Sequence, residues 1–206
     1  MDIKGEQDGS NETSVYAYKP GGVTPEWDYE WDYTMGTPQD NGWTTSINGS
    51  TSETLASTRL ETSAASGAYR FYVPPNGGGT SKGVMEVVFN TSQPFSGNYQ
   101  QMCQFRIGNG TYCLFMVVTG NRSLRFWDTS SIANATTVYS SLQDRTDYTV
   151  RLVLDGSVGE VYLNGTKIAT VDTTTSVYKG ATRFGVQNTA NTKAYWKSVK
   201  VRFGRL

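Results

Sequence analysis

The stretch from Tyr148 to Val171, YTVRLVLDGSVGEVYLNGTKIATV, constrains the fold more than any other part of the chain. Tyr148, Val150, Leu152 and Leu154 alternate with Thr149, Arg151, Val153 and Asp155, the period-two pattern of a strand with one buried face. Asp155-Gly156 breaks that run, and a second short run covers Glu160 to Leu163. Asn164-Gly165 follows, two residue types that tolerate positive φ as a two-residue hairpin turn requires. The turn predicts Val161 opposite Ile168 and Tyr162 opposite Lys167, so that the buried face continues across the pair. Three consecutive antiparallel strands follow from this stretch alone.

The same reading extends along the chain. Residues 1–25 are polar, end near Lys19-Pro20-Gly21-Gly22, and read as an arm or linker; residues 26–206 read as one domain. Trp27, Tyr29, Trp31 and Tyr33 alternate with Glu26, Asp28, Glu30 and Asp32, which predicts a first strand with its aromatics facing inward. Met35 to Ser52 is turn-rich. Further strands are expected at Thr54–Leu60, Ala68–Val73, Val84–Phe89, Gln101–Ile107, Tyr112–Val118, Ser123–Trp127, Thr182–Val186 and Tyr195–Phe203, with a short helical turn at Leu142–Asp147. Many short strands separated by Gly and Asn turns predict an all-β fold of two packed antiparallel sheets. Its core should hold Val150, Leu152, Leu154, Val161, Leu163, Phe184, Val199 and Val201.

Composition closes off several function classes. Histidine is absent, which removes histidine general bases, histidine triads and the usual histidine zinc sites. Lys and Arg number 18 against 18 Asp and Glu, so no global field points to nucleic acid, and no apolar run approaches the length for membrane insertion. Cys103 and Cys113 flank Gly108-Asn109-Gly110. A two-residue Asn109-Gly110 turn would set Cys103 opposite Met116 and Cys113 opposite Arg106, on opposite faces; a one-residue shift would leave the cysteines diagonal. Both arrangements predict free thiols.

The order of features resembles a known family. A W-D strand near the start, YTVRLVLD, the GEVYLNGTKI hairpin, TRFGV and a closing WKSVKVRF strand look like the concanavalin A-like lectin/glucanase jelly roll, in its laminin-G-like form. The resemblance covers residues 26 to 204. It implies that first and last strands lie side by side in one sheet, and that the middle strands build a concave sheet that often carries the ligand. Hydrolases of this fold use an E-x-D-x-E strand, which Glu26-Trp27-Asp28-Tyr29-Glu30 matches, but there the motif lies mid-chain. A structural role explains the acidic row here: pairing the first strand with the last sets it beside Lys200 and Arg202. Calcium in loops is a further implication, with Asp40, Asn41, Asp128 and Asn188 in reach of such a role. No run resembles a calcium loop, so ordinary turn use is the stronger reading of these residues; no other cofactor is expected.

By alternation Gln104 and Arg106 point away from the core, as do Arg125 and Trp127, and Arg151. Guanidinium forks and a tryptophan face on one concave sheet would suit a sugar, an acidic one above all. The expected function is a non-catalytic module that binds a glycan or cell-surface ligand on an extracellular or virion-surface protein, such as a phage tail or fibre. The alternatives are a glycoside hydrolase or lyase of the same fold, and a structural fibre component. A homo-oligomer within a larger assembly fits the first and the last of these.

Overall fold

The computed structural model describes residues 26–75, 82–91, 102–105, 113–118, 122–127, 136–156, 158–172, 182–187 and 192–206; the polar arm lies outside them. Fifteen strands lie among the described residues. They are β1 Tyr29–Asp32, β2 Thr44–Asn48, β3 Thr51–Ala56, β4 Arg59–Ala64 and β5 Tyr69–Val73. Next come β6 Lys82–Asn90, β7 Met102–Phe105, β8 Cys113–Val118, β9 Leu124–Trp127 and β10 Thr136–Tyr139. The last five are β11 Asp147–Asp155, β12 Val158–Leu163, β13 Thr166–Asp172, β14 Arg183–Gln187 and β15 Thr192–Phe203. The helical content of the described residues is two short 3-10 turns, Tyr33–Met35 and Gln39–Asn41.

The strands form two antiparallel sheets packed face to face. One has eight strands, in the order β13-β12-β11-β6-β15-β4-β3, with β1 also on β15. The other has seven, β10-β9-β8-β7-β14-β5-β2. β15 is long enough to offer one edge to two partners in turn: Thr192 to Trp196 pair with β4, and Ser198 to Val201 pair with β1. First and last strands are therefore neighbours, as the resemblance implies.

Alternation decides what lies between the sheets. All eight residues expected in the core are buried there. At its centre Phe184 touches four aromatic rings, Trp31, Trp43, Tyr72 and Trp196, with centroids 5.0 to 5.8 Å away. Next to it Gly185 faces Phe71 on β5, and a Cβ there would sit 2.1 Å from the Arg70 carbonyl oxygen. Only glycine lets the strands approach so closely at this point. At the open edge of the sandwich, Arg70 and Tyr72 of β5 reach across to Glu53 of β3 in the other sheet. Burial, then the hydrogen bond to Glu53 and its charge, push the Tyr72 phenol well above its ordinary range.

Several expectations need correction. Asn164 and Gly165 do take positive φ, and Tyr162 does face Lys167. Val161, however, faces Ala169 rather than Ile168, because a bulge falls between Val161 and Tyr162. The Thr54–Leu60 run is the tip of the β3–β4 hairpin, folded back at residues 57–58, and not one strand. β2 and β10 carry little apolar alternation and were not anticipated. No helix forms at 142–147: the chain makes one tight turn at 144–145, with Arg145 at positive φ, and the backbone around it bonds to Arg122, Thr91 and the Tyr148 hydroxyl. Cys103 lies opposite Met116 as expected, but Cys113 lies opposite Phe105, not Arg106, since the register shifts between Gln104 and Phe105. The turn between these strands is outside the described residues.

Candidate functional site

The outer face of the eight-stranded sheet carries one continuous row of polar side chains. Reading across six strands, it runs Lys167, Tyr162, Arg151, Glu86, Lys200, Glu30. The middle of the row is set outward by the burial of its neighbours in sequence: Val150 and Leu152 for Arg151, Met85 and Val87 for Glu86, and Val199 and Val201 for Lys200. The charges alternate from Arg151 onward, so neighbouring strands attract along the row.

Trp27 lies over this face. Its ring centroid is 5.8 Å from the Arg151 guanidinium carbon, 5.6 Å from that of Arg202 and 5.8 Å from Lys200 Nζ. The expected inward Trp27 is thus corrected: Tyr29 and Trp31 pack toward the core, but Trp27 covers the outside. Alternation holds only along the ladder, and the ladder begins at Tyr29. Asp28 fixes the departure. Its N–H donates to the Val201 carbonyl, and its carboxylate accepts from the Phe203 N–H and pairs with Arg205 at 2.7 Å.

Beside Trp27 opens a cavity of about 350 Å³, whose polar lining includes Glu86, Arg151, Glu160, Tyr162 and Arg202. Glu160 is already engaged: it accepts from Lys167 Nζ and, at 2.6 Å, from the Tyr162 hydroxyl. Those two hydrogen bonds, Lys167 first, hold its carboxyl below the ordinary range, so it stays ionised. Arg151 and Glu86 form no ion pair among the described residues. The Nε of Arg202 is buried with no hydrogen-bond partner there, although its Nη1 donates to the Glu26 carbonyl at 3.4 Å. The site therefore combines donors on two guanidinium groups with an acceptor on Glu86. A polyhydroxylated ligand needs that mixture.

The residues singled out from sequence do not come together on one sheet. Gln104 on β7 and Trp127 on β9 share a row of the seven-stranded sheet, joined through Phe115. Arg125, half-buried, lies in the adjacent register on β9 opposite Val117. Arg151 belongs to β11 of the opposite sheet, so a single face made of all these residues is excluded by topology. Arg106 lies outside the described residues. Alternation in single strands could not tell which sheet each strand joins. Arg202, Trp27, Glu86 and Tyr162 were missed as site residues, although the expected pairing of first and last strands already put Arg202 outward.

The acidic first strand is tied to the last one. Glu30 faces Lys200, with 3.4 Å between charged atoms, and Asp28 meets Arg205. Asp40 and Asn41 act in the turn: the Asp40 carboxylate accepts from the Thr37 N–H and hydroxyl, and the Asn41 amide donates to the Met35 and Thr37 carbonyls. Asp128 and Asn188 are outside the described residues.

No family model and no curated protein matches the sequence. Solved structures do match the fold. A sialidase superposes with a TM-score of 0.64 at 11% identity, over 85% of this chain and 18% of that one. Domain 4 of AbnA, an extracellular GH43 arabinanase of Geobacillus stearothermophilus, solved with arabinotriose, gives 0.54 at 10% identity over 85% of this chain and 91% of that domain. The binding domain of botulinum neurotoxin DC, solved with SialylT, gives 0.56 at 9% identity over 79% of this chain and 43% of that one. The chain thus spans about a fifth of the sialidase and nearly all of the arabinanase domain. At these identities the likeness is one of fold: this chain is an antiparallel β-sandwich of the kind found in those proteins.

Proposed function

We propose that this domain is a non-catalytic carbohydrate-binding module of the concanavalin A-like, laminin-G-like kind. The observation that carries the reading is the cavity beside Trp27, where Arg151, Arg202, Glu86 and Tyr162 offer both donors and an acceptor. Two of the similar domains were solved with an oligosaccharide or a SialylT ligand, which supports the same class of ligand here. Gln104, Arg125 and Trp127 are proposed as contacts on the seven-stranded sheet, separate from Arg151, and Arg106, outside the described residues, is proposed as a further contact. An extracellular or virion-surface setting, such as a phage tail or fibre with several copies of the domain, completes the proposal.

A glycan array with the wild-type domain tests the function, followed by calorimetry on the best hit. Arg151→Ala should weaken binding about ten- to hundredfold if the eight-stranded sheet holds the ligand. Arg125→Ala and Trp127→Ala should do so if the other sheet does. A folded domain that captures nothing from the array overturns the reading.

One observation favours a glycoside hydrolase as the alternative: Glu86 and Glu160 line the same cavity. They lie on β6 and β12, two strands apart, about 10 Å laterally at ordinary strand spacing. Glu160 is also offset by two residues from the position level with Glu86, about 7 Å along the strands, so the two side chains would have to converge for even the wider, inverting arrangement. Hydrolysis of a polysaccharide pool, lost on Glu86→Gln, would establish the enzyme over the binding module.

A further inference from the structure

The charges in the cavity define what kind of sugar it takes. Of the four charged groups in its lining, Glu160 is neutralised by Lys167. Arg151 and Arg202 then face Glu86 alone, an excess of one positive charge. Lys200, next to Glu86 across the strands and beside Trp27, is already paired with Glu30. Both arginines hold their guanidinium carbons near one indole ring, Trp27, which is only 7% exposed. The ring therefore acts as a fixed floor that positions the two forks, and it is not itself open for a sugar to stack on.

The buried Arg202 Nε is closed to a ligand, so the cavity offers the rest of that guanidinium group and the Arg151 fork, which has no ion pair among the described residues. A carboxylate is the acceptor whose planar geometry best meets a guanidinium fork, and it also cancels the surplus charge. Glu86 is left to accept from hydroxyl groups, which a sugar supplies in the same molecule.

We infer that the cavity between Arg151 and Arg202 is a subsite for the carboxylate of an acidic sugar, with Glu86 receiving its hydroxyl groups and Trp27 as a positioning residue. This rests on the carbohydrate-binding reading and narrows it to one ligand class. Arginine alternation points to acidic sugars as well, but the set of side chains it gives shares only Arg151 with this cavity.

The test uses the wild-type domain on an array that carries carboxylated glycans beside the same glycans with the carboxylate methyl-esterified. Capture of the free acids only is expected, weakening as salt is raised. Arg151→Gln and Arg202→Lys should each lower affinity for the best acid about ten- to hundredfold, while Arg122→Ala, an exposed residue paired with Asp144 outside both proposed sites, leaves it unchanged. Arg202→Lys keeps the charge, so a folded protein that loses affinity shows the need for the fork. Thermal melts identify any variant that fails to fold, and Arg151→Gln, at a half-buried position, then decides. Equal capture of acid and ester, or unchanged affinity in Arg151→Gln, overturns the inference but leaves carbohydrate binding standing. Capture of no glycan at all overturns both.

Discussion

The two faces of the eight-stranded sheet cross the same strands and obey opposite rules. On the inner face one row reads Val161, Leu152, Met85, Val201, Tyr29, joined strand to strand in register. One residue along each strand, on the outer face, the row reads Tyr162, Arg151, Glu86, Lys200, Glu30. The inner row is held by removal of apolar surface from water and needs only the right volume and no polar atoms. The outer row is held by pairwise charges worth a few tenths to about 1 kcal/mol each, which solvent weakens. Trp31 and Trp27, four residues apart, show the contrast in one residue type. Trp31 is stacked on Phe184 in the core, and Trp27 packs against three cations of the outer face. The inner face makes the sandwich; the outer face is where sequence is free to specify a ligand.

Substitutions on each face should separate these roles. The largest effect is expected from Phe184→Ala, which empties the hub of the aromatic cluster and should cost about 3–5 kcal/mol by denaturant titration. A loss under 1 kcal/mol would mean the cluster repacks freely and the inner face is less specified than argued. Trp27→Ala comes next, at about 1.5–3 kcal/mol for the surface it covers, with the strand content by circular dichroism unchanged. Its sharper signature is looser Arg151 and Arg202 side chains, read from their Nε–H resonances. If those resonances do not move, the indole is not what positions the forks. The smallest effect belongs to Glu30→Gln, which removes one half-exposed ion pair with Lys200 and should shift stability by no more than about 1 kcal/mol. A large loss there would show the outer row acting as a network and not as separate pairs.

The same contrast explains what could be read in advance. Val150, Leu152 and Leu154 repeat every second residue, so their burial was legible without knowing any partner. The partner of Glu86 was not, because it depends on β11 and β15 both choosing β6, which are contacts between segments far apart in sequence. Trp27 misled for a related reason: alternation describes a paired strand, and nothing in Glu26-Trp27-Asp28 marks where pairing starts. The expected ligand face failed at its joining step. Arg125 and Arg151 each lie on the non-core side of a strand, but β9 and β11 go to different sheets. Local pattern assigns a residue to a side. Only the strand order assigns it to a neighbour.

The neighbouring first and last strands have a mechanical consequence. Tyr29, where β1 begins, lies opposite Val201 near the end of β15, so the chain enters and leaves at one corner of the sandwich. Traction on both ends would fall first on the Asp28 contacts with Val201, Phe203 and Arg205, and then on the β1–β15 pairs one after another. Such loading peels two strands apart like a zip and never shears several hydrogen bonds at once. A domain tethered in this way yields at low tension from its corner, while β11, β6 and the rest of the outer row stay in place. The cavity is lined partly by Arg202, close to that corner, so tension on the tethers would reach this wall of it before the others.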